Sequence, residues 1–118
     1  MNNNIFENIR QWGRDRNLHE SSPFKQLAKL VEEQGELAEG LSKDNQELII
    51  DSIGDMVVVL TNMAMALGYE IEDCIKASYI EIKDRKGKTV DGIFIKESDL
   101  KNEWISRWLN GLNKGNNY

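Results

Sequence analysis

The stretch from Glu47 to Leu67 constrains this chain most. Ile49, Ile50, Ile53, Met56, Val57, Leu60 and Met63 fall at helical spacing and, at about 100° per residue, cover most of a helix circumference. Such a helix is expected to be buried nearly all round. Yet Asp51, Ser52, Asp55 and Asn62 share one stripe of it, roughly 100° wide. Two ionised carboxylates at i and i+4 on a buried helix cost several kcal/mol each unless a cation partners them or they take up protons.

The rest of the chain reads as helices around this one. Ile5, Ile9 and Trp12 place a first helix over about 3–17. After a loop, Ser22-Pro23 is an N-cap followed by proline at the first helical position, opening a second helix that runs to about 41. Asp44 with Glu47 three residues later reads as an acidic capping box for the third helix, and Gly68 ends it. A fourth helix covers about 71–85. The turn dipeptide Asp91-Gly92, flanked by Thr89, Val90, Ile93, Phe94 and Ile95, allows a short β-hairpin within 88–96. Ser98 can then cap a last helix to about 110, and a tail over 111–118 is rich in Asn and Gly. The expected fold is all-α: an antiparallel four-helix-bundle-like domain over 1–110.

Composition narrows the chemistry. A net charge of −5 argues against sequence-independent DNA binding, which needs clustered Lys and Arg. The one histidine, His19, makes His-rich zinc chemistry and a Ser-His-Asp triad improbable. A single cysteine, Cys74, excludes an internal disulfide, looks like a core residue and suits a reducing cytoplasm. No signal peptide is expected, and no apolar run is expected to approach the roughly 18 residues of a membrane span. Any catalysis falls to carboxylates.

The second helix supplies them in Val31-Glu-Glu-Gln-Gly-Glu-Leu-Ala-Glu39. Glu33 and Glu36 share a face, as do Glu32 and Glu36, with Lys29 alongside. Alone, this is what a solvated acidic face looks like. The short connection at 42–45, however, makes the second and third helices antiparallel neighbours, so that Glu32, Glu33, Glu36, Asp51 and Asp55 can converge. An all-oxygen cluster without His or Cys suits Mg²⁺ or Mn²⁺. A di-iron site of the ferritin type needs Glu-x-x-His, which the chain lacks.

Glu32-Glu33-x-x-Glu36, followed by Asp51-Ser-Ile-Gly-Asp55, resembles the MazG-like all-α nucleoside-triphosphate pyrophosphohydrolases. The likeness extends over 26–40 and 51–60, and 81–96 resembles a small single-domain branch of that family. It implies Glu33, Glu36 and Asp55 as metal ligands, with Glu32 a ligand or helper. Where the family's second motif begins with Glu, this chain has Ser52, with Asp51 adjacent.

The implied reaction is Mg²⁺-dependent hydrolysis of a (d)NTP to (d)NMP and pyrophosphate, with Glu36 or Glu33 accepting the proton of the attacking water. House-cleaning of nucleotide pools is the role the resemblance suggests. Lys29, Lys83, Arg85 and Lys86 are candidate phosphate contacts, although the basic run at 83–88 equally suits a helix C-terminus. Trp12 can stack on a base or fill the core, Gln26 can read a base edge, and Asn62 can bond a nucleotide or another helix. The apolar excess of the third helix points to a homo-oligomer, and the resemblance to a dimer or dimer of dimers. A catalytically inactive nucleotide- or metal-binding relative and a helical interaction protein are the competing readings.

Overall fold

The computed structural model describes residues 4–100, 107, 108, 110 and 111. In chain order they form α1 (Ile5–Arg14), a single 3₁₀ turn (Leu18–Glu20), α2 (Pro23–Ser42), α3 (Gln46–Ala66) and α4 (Ile71–Ile82). There follow β1 (Gly87–Val90), β2 (Ile93–Lys96) and the short α5 (Glu97–Leu100). The chain is thus mostly helical, with a two-stranded antiparallel hairpin before a C-terminal helix, as the periodicity predicts. Contacts divide it into two compact units, 1–76 and 77–118.

The first unit is organised by α2 and α3. Ser22 caps α2 by accepting from the Phe24 N–H, with Pro23 in its first turn. The cap of α3 is Asn45, whose side chain accepts from the Leu48 N–H. Asp44 instead sits in the left-handed region at φ 51°, so the expected Asp44–Glu47 capping box is not formed. The two helices approach closely where Gly40 meets Ile49, since a Cβ on Gly40 would come within 3.1 Å of the Ile49 side chain.

Helix α1 ends at Arg14, three residues earlier than the apolar spacing suggests, because Asn17 turns left-handed at φ 63°. It lies against α3 at Gly13, where the Asn62 carboxamide occupies the space a side chain would need. Arg10 is nearly buried and forms a two-pronged ion pair with Glu72 at the start of α4, its Nη2 donating to Oε2 at 2.8 Å. Its Nε donates to Glu7 at 2.9 Å.

The expectation that α3 is buried all round is not met. Val59, Thr61, Asn62 and Ala64 are buried, but Ile50, Ile53, Val57 and Leu60 are substantially exposed, because α1 and α2 cover only two of its sides. By length and composition α3 is long and apolar enough to pass for a membrane span, against the expectation that no run of the sequence approaches that length. Cys74 is exposed rather than core, as is every residue of α4 from Asp73 onward.

In the second unit α4 stops at Ile82, three residues before the expected end. Asp91 and Gly92 both take positive φ, and Gly87–Val90 pairs with Ile93–Lys96 in register. Ile95 is the buried residue of this hairpin. The last helix begins at Glu97, and Arg107, Trp108, Asn110 and Gly111 are helical. Of the rest of the expected helix and tail, 101–106, 109 and 112–118 lie outside the described residues.

The Arg10 pair has a pH signature. Hydrogen bonds from Arg10 hold the Glu72 carboxyl down at about 2, below the ordinary 4.5. A depressed carboxyl stabilises the fold above its unfolded value, and that contribution is lost as pH falls from about 4.5 through about 2. Glu72→Gln is expected to cost about 1.5–3 kcal/mol at neutral pH, and its penalty to shrink across that acid window. Thermal unfolding followed against pH checks this.

Candidate metal and nucleotide site

Across the α2–α3 contact, carboxylate oxygens of Glu33, Glu36 and Asp55 lie within 4.8 Å of one another. Glu33 and Glu36 share a face of α2 because they are three residues apart. The antiparallel hairpin, fixed where Gly40 meets Ile49, brings Asp55 level with Glu33. Glu33 is buried, Glu36 is half-buried and Asp55 is exposed. The Glu33 Oε2 is buried without a hydrogen-bond partner among the described residues.

The electrostatics follow from that crowding. Burial pushes the Glu33 carboxyl up, and neighbouring Glu36 pushes it further. Asp55 is likewise raised, first by burial and then by the charges of Glu33 and Asp51. Lys29, whose Nζ stands 3.6 Å from Glu33 and 3.4 Å from Glu32, relieves only part of this. Its own pKa is raised, chiefly by Glu32. Three like charges with one half-exposed cation among them form a site short of positive charge. The donor set is all oxygen, the set that Mg²⁺ and Mn²⁺ prefer.

The cluster opens into a cavity of about 520 Å³. Its walls include Glu33, Asp55, Lys29, Gln26, Trp12 and Asn62. Gln26 and Glu33 are seven residues apart on α2, as are Asn62 and Asp55 on α3, which is two helical turns, or about 10 Å of rise. One end of the cavity is therefore carboxylate and ammonium, and the other is amide and aromatic. Trp12 is 44% exposed, so it lines this space instead of filling the core. Arg16 stacks over its ring at 4.3 Å. Gln26 Nε2 donates to Ser21 Oγ at 3.0 Å, which leaves the amide oxygen available.

Among the described residues Asn62 does not make the helix-to-helix hydrogen bond expected of it. It borders the cavity, but its Nδ2 donates to the Val58 carbonyl at 3.1 Å and its Oδ1 is buried against Gly13. It chiefly fixes α1 on α3.

Other expected site residues are not part of the trio. Asp51 is outside the trio and exposed, one turn before Asp55, where it borders a neighbouring apolar depression of about 540 Å³ between α1 and α3. Glu32 is exposed and faces Lys29. Ser52 has no exposed surface, and its Oγ has no partner among the described residues. Lys83, Arg85 and Lys86 belong to the second unit, where Arg85 donates to Glu81 at 2.8 Å. The sequence reading missed Leu18, Ser21, Lys25, Val58 and Val59, which also line the cavity. Lys25 was detectable, since it precedes Lys29 by one helical turn. Leu18 and Ser21 were not, because their position depends on the path of the loop.

The chain is 51% identical over 61 residues to a protein of Haemophilus phage HP1 (strain HP1c1), described as an uncharacterized 18.2 kDa protein in the rep-hol intergenic region. The match takes in 51% of this chain and 37% of that protein, so the aligned segment spans little more than a third of the relative's length. No protein-family model matches the sequence, and no solved structure matches it.

Raised carboxyls destabilise the fold once ionised: their favourable contribution is complete below the unfolded value and is lost as pH rises through the folded one. Asp55→Asn is therefore expected to raise the melting temperature at pH 7–8 without divalent cations. Adding Mg²⁺ is expected to stabilise the parent chain and to leave Asp55→Asn nearly unmoved. Differential scanning calorimetry with and without Mg²⁺ measures both effects.

Proposed function

We propose that this chain is a divalent-cation-dependent nucleoside-triphosphate pyrophosphohydrolase of the MazG-like kind, converting a (d)NTP to (d)NMP and pyrophosphate. One observation carries the reading. Glu33 and Asp55, chosen from the sequence as metal ligands, and Trp12, Gln26, Lys29 and Asn62, chosen as nucleotide contacts, border the same cavity. Its polarity changes over about two helical turns, a separation comparable with that between the phosphates and the base of a nucleotide.

Glu33, Glu36 and Asp55 would hold Mg²⁺, with Mn²⁺ as a substitute. When bound, the ion supplies neutralisation of the triphosphate and acidification of a water. Lys29, and Lys25 one turn before it, present ammonium groups to the phosphates. Glu33 and Glu36 are the candidate proton acceptors. The greater openness of Glu36 gives water the easier approach to its carboxylate. Trp12 offers a face on which a base can stack, and the free Gln26 amide oxygen can accept from a base edge. The proposed setting is the cytoplasm, where such nucleotides occur, and the proposed role is nucleotide-pool house-cleaning.

Ser52 supports a second reading, a nucleotide-binding relative without turnover, because a short hydroxyl replaces the carboxylate that opens the second motif in the family resembled. Pyrophosphate release from a panel of NTPs and dNTPs with Mg²⁺ separates the two. Hydrolysis is expected for at least one substrate, falling about 10²–10⁴-fold in Glu36→Gln or Glu33→Gln if that residue is the base. Trp12→Ala is expected to raise KM, with about 1–3 kcal/mol lost from base stacking. Nucleotide-induced stabilisation without pyrophosphate from any substrate would establish the binding module instead.

A further inference from the structure

Among the described residues the largest side chains with almost no exposed surface are polar, and all stand on α3: Asn62, Thr61 and Ser52. Two of them turn back on their own helix. Thr61 Oγ1 donates to the Val57 carbonyl at 2.7 Å and Asn62 Nδ2 to the Val58 carbonyl at 3.1 Å, each four residues earlier. Ser52 does not do the same to Leu48, and its Oγ is buried without a partner among the described residues. Buried hydroxyls are ordinarily paired, and the carbonyl four residues earlier is the nearest acceptor for a serine in a helix. A serine that forgoes it has its hydroxyl turned from its own backbone.

Its place on the helix says where the hydroxyl faces. Ile49, Ser52 and Asp55 follow one another at intervals of three residues, which sets them side by side along one flank of α3. Ile49 meets Gly40 of α2, and Asp55 lies with Glu33 and Glu36 of α2. Ser52, between them, therefore faces the same contact, one turn from the acidic cluster. Helical side chains tilt towards the N-terminus of their helix, so the Asp55 carboxylate leans back over the turn that carries Ser52. The cluster is also short of donors. Ionised carboxylates only accept, and Lys29 is placed against Glu32 and Glu33. A carboxylate that holds a cation keeps lone pairs the ion does not use, and a fixed donor on one of them sets which oxygen faces the ion.

We infer that Ser52 is a positioning residue of the cation site, its hydroxyl donating to the Asp55 carboxylate and fixing the oxygen that Asp55 presents to the ion. The inference rests on the cation site proposed above, and it holds whether or not the chain turns its nucleotide over. A hydroxyl suits this place because it adds a hydrogen bond to a carboxylate without adding a fourth negative charge to the trio. A serine kept only for close helix packing would be served better by alanine, which buries no unpaired group.

Calorimetric titration of the full chain with Mg²⁺ alone tests it, beside thermal unfolding without divalent cations. Ser52→Ala removes the unpaired hydroxyl, so it is expected to melt higher than the parent chain and yet to bind Mg²⁺ about 10–100-fold more weakly. Ser52→Thr keeps the hydroxyl and adds a methyl group where Ser52 has no exposed surface. It is expected to melt lower and to bind Mg²⁺ with close to the parent affinity. Affinity and stability then move in opposite directions, which packing alone does not produce. Ser52→Ala binding Mg²⁺ as tightly as the parent would overturn the inference and leave the cation site standing. So would a folded Ser52→Thr that binds as weakly as Ser52→Ala. A parent chain that takes up no Mg²⁺ would remove the cation site itself, and the inference with it.

Discussion

The buried Glu33 carboxylate, set against Asp55 across the α2–α3 contact, is the constraint on which the first unit turns. An ionised carboxylate with an unpartnered oxygen is costly inside a protein, and a second carboxylate beside it raises that cost. A fold assembled only for stability would place an apolar side chain there. The hairpin instead places the acid opposite another acid and leaves Lys29 half-exposed at the edge. Excess negative charge is a functional feature when a cation is part of the working molecule.

From that contact the other features follow by geometry. The close approach at Gly40 sets the register of α2 on α3, the register sets Glu33 beside Asp55, and the same register two turns away sets Gln26 near Asn62. Asn62 then anchors α1 through Gly13, which brings Trp12 to the cavity wall. A single helical hairpin thereby carries the acidic cluster at the edge of one cavity, with Trp12 in its wall.

Much of this was legible in the sequence, for identifiable reasons. Helix period, the Ser22-Pro23 start and the Asp91-Gly92 turn are local signals, and local signals placed α2 and the β-hairpin well. The convergence of Glu33, Glu36 and Asp55 was legible because a four-residue connection leaves two long helices little choice but to pack antiparallel. Details that depend on tertiary cover were not. Asp44 offered a capping box, but the chain reverses there through a left-handed residue and Asn45 caps instead. The apolar girth of α3 suggested burial on every side, yet one chain supplies cover on only two. Asp51 was grouped with Asp55 by a stripe too broad to separate a carboxylate in the cleft from one a turn outside it. Leu18 and Ser21 reach the cavity through a loop whose path no periodicity encodes.

Binding of Mn²⁺ followed by electron paramagnetic resonance bears most directly on the central claim. If the trio is a divalent-cation site, the free-ion signal is lost saturably as protein is added, returns when excess Mg²⁺ competes, and is not lost with Glu33→Gln. An undiminished Mn²⁺ signal at millimolar protein, or binding that survives Glu33→Gln unchanged, would contradict the account.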